Sequence, residues 1–146
     1  NTTPVSLFSE IEQTINQIHI PQGICSQNSS ENIHRVLKQN DLSQKFHAII
    51  GYDDIPSNAQ KPIPFGGLRC MEQLFETTVD KTIFYIGDHE GDVEFARNLE
   101  LELGKQSKVI AIVAKYSGAK TALWTYKPDF EIDCPSEVLQ IIENYN

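Results

Sequence analysis

A three-layer α/β fold, a parallel sheet covered by helices on both faces, is predicted by three observations on the 146-residue sequence. Short apolar runs rich in β-branched residues alternate with amphipathic stretches of helical period. Each apolar run ends in a polar or glycine-bearing turn. No internal repeat and no low-complexity tract offers a competing organisation. Strands that alternate with helices pair in parallel, because each helix carries the chain back across the sheet.

Val5, Phe8, Ile11, Ile15 and Ile18 recur at helical spacing and predict a first helix. After a proline-containing connection, Gly23-Ile24-Cys25 reads as a short buried strand ending at Ser26. Ser29-Ser30 predict the cap of a helix that buries Ile33, Val36 and Leu37. Residues 47–51 read as a second strand running into the polar turn Tyr52-Asp53-Asp54. Pro62 and Pro64 predict an extended loop, and Gly66-Gly67 let it turn into a helix with Leu68, Met71, Leu74 and Phe75 inward. Residues 82–86 are β-branched and aromatic, as a central parallel strand requires, and stop at Gly87-Asp88. A helix over 91–103 lines up Val93, Ala96, Leu99 and Leu103, and 109–113 is another apolar strand. Residues 130–132 form a short last strand, followed by a closing helix over 136–145 capped at Ser136.

The length fits one domain spanning 1–146. Twenty acidic against twelve basic residues leave a net charge of −8, which argues against a partner that is nucleic acid, since backbone binding draws on clustered Lys and Arg. No apolar run approaches the length of a membrane span, and the N-terminus lacks the regions of a signal peptide. Cys25, Cys70 and Cys134 are odd in number and widely spaced, which points to neither a disulfide framework nor a zinc site and fits a reducing cytoplasm.

In parallel sheets ligands gather beyond the carboxyl ends of the strands. The polar residues expected there are Ser26, Asp53-Asp54, Lys61 and the run from Gly87 to Asp92. Asp88 and Asp92 put two carboxylates into a small volume, which a hard cation such as Mg²⁺ would stabilise. Read by themselves they equally fit a turn and a helix cap. Lys61 could neutralise a phosphate or stand in solvent. Ser26 could donate to a phosphate oxygen or simply close a turn. His89 and Glu90 lie in the same loop and could touch substrate or equally stand in solvent; Trp124 and Tyr126 are expected to cover the sheet, and Cys25 to be a core side chain.

The order Ile24-Cys25-Ser26-Gln27-Asn28, Lys61-Pro62-Ile63-Pro64 and Ile86-Gly87-Asp88-His89-Glu90-Gly91-Asp92 resembles the haloacid dehalogenase-like (HAD) phosphohydrolases, in their phosphoglycolate-phosphatase-like form. The resemblance covers nearly the whole chain, including Tyr52-Asp53-Asp54 and Lys127-Pro128-Asp129. It implies a Rossmann-like core and a Mg²⁺-dependent phosphatase acting on a small phosphorylated metabolite. Ser26, Gln27 and Lys61 would hold the phosphoryl group, with Ser26 and Lys61 serving catalysis, and Asp88 and Asp92 would hold the metal.

The family also places a nucleophilic aspartate, with a second aspartate two residues later, after its first strand. Here no aspartate precedes Asp41. The resemblance implies that the missing strand lies between those ending at Ser26 and Gly87. Its loss would strand buried backbone groups at roughly 1 to 3 kcal/mol each. Residues 1–146 are therefore expected to be the C-terminal part of a longer chain, inactive alone, with the missing N-terminal segment or another chain filling the sheet. The 34 residues between Ser26 and Lys61 are taken up by a helix, a strand and a loop, which leaves no room for a large cap. The alternative is a non-catalytic HAD-like module that binds phosphate or protein. A nucleotide-binding Rossmann domain lacks its G-x-G-x-x-G here, and a receiver domain its early acidic pair.

Overall fold

A computed structural model describes residues 10–104 and 106–145. Within them the strands are β1 (Gly23–Cys25), β2 (Ala48–Ile50), β3 (Thr82–Gly87), β4 (Lys108–Ala114) and β5 (Phe130–Ile132). The helices are α1 (Ile11–Gln17), α2 (Ser30–Gln39), α3 (Phe65–Leu74), α4 (Glu90–Leu103) and α5 (Glu137–Asn144). All strand pairs are parallel, as the alternation of elements predicts. They fall into two ladders, β1-β2 and β3-β4-β5.

Side-chain alternation along β4 builds the three layers. Val109, Ala111 and Val113 pack against Val93, Ala96 and Leu99 of α4, with Leu68 of α3 beside them. Ile110 and Ile112 point the other way, onto Val138 and Ile141 of α5 and Ile18 after α1. A third cluster joins Ile33 and Leu37 of α2 to Ile24 and Ile49. Ser29 caps α2 by accepting the Asn32 N–H at 3.2 Å. Among the described residues no helix is long and apolar enough to cross a membrane.

Several local expectations are corrected. The first helix begins at Ile11 within the described residues, and Val5 and Phe8 lie outside them. The loop before α3 is a turn and not an extended segment: Ile63 N–H donates to Gln60 C=O at 3.0 Å, and the Lys61–Pro62 bond is cis. Gly66 and Gly67 sit inside α3, where their lack of a side chain permits close packing. A Cβ at Gly66 would come within 2.7 Å of Ile55 and 2.8 Å of the Cys25 sulfur. Ser136 does not cap α5 through its hydroxyl; Glu137 accepts the Asp133 and Cys134 N–H groups instead. Finally, β3 is far less buried than a central strand should be, and Ile86 is 42% exposed.

Candidate active site

Lys61 is the centre of the cluster at the carboxyl ends of β1 and β3. Its ammonium donates to the Cys25 carbonyl at 3.0 Å and to the Tyr85 hydroxyl, and pairs with Asp92 Oδ1 at 3.3 Å. It also lies about 5 Å from the ring centres of Tyr85 and Phe95. Both partners of the ion pair are largely buried, at 13% and 17% side-chain exposure, so the pair is less screened than a surface one. Asn98 of α4 donates to the Pro62 carbonyl at 2.9 Å and ties the lysine's loop to the helix. The alternative of a solvated Lys61 is thus set aside by the fold.

Asp92 is held from the opposite side. Its Oδ2 accepts the N–H groups of Asp88 at 3.1 Å and His89 at 3.2 Å, closing the first turn of α4. This is the capping arrangement the sequence left open, and it coexists with the contact to Lys61. Gly87 permits it: a Cβ there would collide with the Asp92 side chain. The Tyr85 hydroxyl also donates to Asp92 Oδ1, at 3.4 Å. Burial first, and the neighbouring Asp92 carboxylate second, push the Tyr85 phenol far above its ordinary range, so it remains a neutral donor.

Asp88 is nearly half exposed at the rim, with Oδ1 at 2.6 Å from His89 Nδ1. Asp88, His89 and Asp92 each offer a ligand atom within 4.8 Å of the others. Two carboxylates at one rim are a donor set that suits a hard cation. Asp92 already spends one oxygen on Lys61 and the other on backbone N–H groups, which leaves Asp88 with the freer carboxylate.

Ser26 follows Cys25, so it borders the carbonyl that Lys61 touches; its hydroxyl accepts the Asn28 N–H at 3.1 Å. Gln27 is exposed beside it. Asp53 and Asp54 are committed to structure. Asp53 accepts the Ser30 N–H at 2.8 Å and Asp54 the Gly51 N–H at 2.8 Å. Glu90 is tied to the loop after β4, accepting the Thr125 and Tyr126 N–H groups on Oε2. Arg97 holds the same loop from below through Asp129, at 3.0 Å, and the Lys127 carbonyl. Trp124 packs on the α4–β4 cluster, as expected of a sheet-covering ring.

Sequence reasoning missed Tyr85 and Phe95. Tyr85 is concealed in an apolar strand, where alternation assigns it to the core; Phe95 is fully buried although it lies off the stripe set by Val93, Ala96 and Leu99. An aromatic at a strand's penultimate turn, two residues before Gly-Asp, is the signal that could have pointed to Tyr85. The Cys25 thiol is raised by burial, and the Cys70 thiol is pushed up to about 12 by burial and then by Cys25. Burial thus favours the protonated form of both thiols, in keeping with a packing role for Cys25.

The fold and rim define a Rossmann-like α/β protein that gathers a buried cation and an acidic pair at the carboxyl ends of its strands. The chain belongs to the haloacid dehalogenase-like hydrolase family, whose profile matches residues 1–104. It is 25% identical over 124 residues to a pyrophosphatase, PpaX, of Bacillus anthracis, an alignment that covers 85% of this chain and 52% of that protein. The chain therefore spans about half the length of the curated relatives it matches. Among solved structures it resembles a candidate phosphoglycolate phosphatase from Lactobacillus plantarum, with a TM-score of 0.76, 18% identity, and 93% of this chain and 60% of that one covered. A 2-haloacid dehalogenase from Pseudomonas syringae gives a TM-score of 0.74 at 19% identity, covering 97% and 55%. These two similarities carry the fold.

Proposed function

We propose that these residues form the phosphate- and metal-binding half of a Mg²⁺-dependent phosphatase that acts on a small phosphorylated metabolite in the cytoplasm. The observation that supports it best is Lys61, held between the Cys25 carbonyl, Tyr85 and Asp92, whose other carboxylate oxygen accepts the Asp88 N–H. Phosphoryl transfer depends mainly on positioning and charge neutralisation, which a fixed ammonium beside an acidic pair is built to give. Lys61 balances the charge of phosphate and nucleophile. The Ser26 hydroxyl and Gln27 amide orient the phosphoryl oxygens. Asp88 is the metal ligand, and Asp92 supports it while keeping Lys61 in place. A bound Mg²⁺ supplies further neutralisation of phosphoryl charge.

The aspartate nucleophile and its acid–base partner would come from polypeptide outside residues 1–146, so this chain alone is expected to give no turnover. The three free thiols suit a reducing compartment. The test is a phosphate-release assay on the product of the complete reading frame, with substrates that include pyrophosphate, the class named in the Bacillus relative. Asp88→Asn is expected to lower kcat at least ~100-fold, the scale of losing a preorganised charge contact. An unchanged rate would overturn the reading in favour of a binding module.

A further inference from the structure

An ammonium carries three hydrogens and no acceptor. Lys61 spends all three: on the Cys25 carbonyl at 3.0 Å, on the Tyr85 hydroxyl, and on Asp92 Oδ1 at 3.3 Å. A phosphoryl oxygen therefore engages this lysine only by displacing a contact that the fold already makes.

The Tyr85 hydroxyl decides which contact gives way. Its oxygen accepts from Lys61, and because the ammonium accepts nothing, its own proton is left for Asp92 Oδ1, 3.4 Å away. Among the described residues it has no other hydrogen-bond partner. The ring packs on Phe95, with centres 5.0 Å apart, and borders a cavity of about 650 Å³ between β1 and β3 that Cys25 and Cys70 also line. Asp92 is anchored separately, through Oδ2 and the N–H groups of Asp88 and His89. Of the three contacts of Lys61, the one to Asp92 is the longest, and its acceptor already has a second donor in place.

We propose that Tyr85 is a positioning residue that frees Lys61 for the phosphoryl group. As the third ammonium hydrogen turns from Asp92 Oδ1 to a phosphoryl oxygen, the Tyr85 proton remains on Asp92 Oδ1, so that no buried carboxylate oxygen is left without a donor. One hydrogen bond is exchanged, and every proton stays on its own atom. Phenylalanine at this position keeps the packing on Phe95 but leaves Asp92 Oδ1 dependent on Lys61 alone. The hydrogen that Tyr85 received then faces the ring, because the bonds to Cys25 and Asp92 fix the rotation of the ammonium, and the lysine is held back from phosphate. The inference rests on the reading of Lys61 as a phosphate ligand and adds to it a residue that never touches the phosphate.

The test is calorimetric titration of inorganic phosphate into the product of the complete reading frame, at one fixed Mg²⁺ concentration, for the wild type, Tyr85→Phe, Asp92→Asn and the double variant. Tyr85→Phe is expected to weaken phosphate binding about tenfold in the wild-type background and less than about twofold in the Asp92→Asn background, where the neutral amide no longer competes for the lysine. A merely structural role for the hydroxyl would move both backgrounds alike. Tyr85→3-fluorotyrosine keeps the shape of the ring and makes its hydroxyl a stronger donor, so it should tighten phosphate binding, and it carries the test if Tyr85→Phe does not fold. Equal losses in both backgrounds, unchanged or tighter binding by Tyr85→Phe, weaker binding with the fluorinated ring, or a wild type that binds no phosphate would each overturn the proposal. A protein that releases phosphate in the turnover assay yet shows no such coupling overturns this inference and leaves the phosphatase reading standing.

Discussion

β3 and β4 are near-equal in composition and opposite in environment. β4 reads Lys-Val-Ile-Ala-Ile-Val-Ala and is buried at every position after the first, whereas β3 reads Thr-Ile-Phe-Tyr-Ile-Gly and is buried at none. The difference lies in neighbours: β4 is flanked by β3 and β5, while β3 has a ladder on one side and the cavity on the other. Apolar sequence alone therefore does not fix burial; the strands and helices packed on each side of a strand do.

The contrast is most sharply tested by truncating one side chain on each strand. Ile112→Ala, at a site only 1% exposed, is expected to cost about 2 to 5 kcal/mol in denaturant unfolding. Gly87→Ala comes next, at about 1 to 3 kcal/mol from overpacking, because the added methyl displaces Asp92. It should also weaken the Lys61 ion pair, visible as a shift of the Lys61 ammonium resonance.

Proton linkage should then set the cavity's thiols apart from ordinary ones. The Cys70 pKa is raised from 9.0 to about 12 in the fold, so its neutral form is favoured there. Its stabilising contribution is complete below pH 9 and is lost as pH climbs towards 12, so the thermal midpoint should fall across that window. Alkylation of Cys70 should stay slow until the same window is reached.

Smaller effects fall at the rim and the open edge. Glu90→Gln, which weakens two charge-assisted bonds to the 125–126 backbone, should cost about 1 kcal/mol and raise hydrogen exchange at Thr125 and Tyr126. Ile86→Ala should change stability by under about 1 kcal/mol in the free chain, since the side chain is already 42% exposed. A large loss at Ile86 would erase the distinction between the two strands.

The strand and helix order was legible because hydrophobic period is a local property: β1 to β5 fall within a residue or two of the runs that predict them. Of the site, Lys61, Asp88 and Asp92 were legible by their place at strand ends, yet their relations were not. Whether Asp92 caps a helix or faces a cation depends on a carboxylate with two oxygens meeting two elements at once. The dual role cannot be read from either segment alone.

Composition and periodicity by themselves determined the alternating α/β pattern, the parallel pairing and the acidic turn after β3, since each follows from neighbours a few residues apart. Only the tertiary structure decided that Tyr85 and Phe95 seat the lysine, that Asp53, Asp54 and Glu90 are spent on backbone N–H groups, and that a cavity lies between the two ladders. Those outcomes depend on which segments, distant in sequence, come within a few ångströms, and steric fit and hydrogen-bond satisfaction act only once they do.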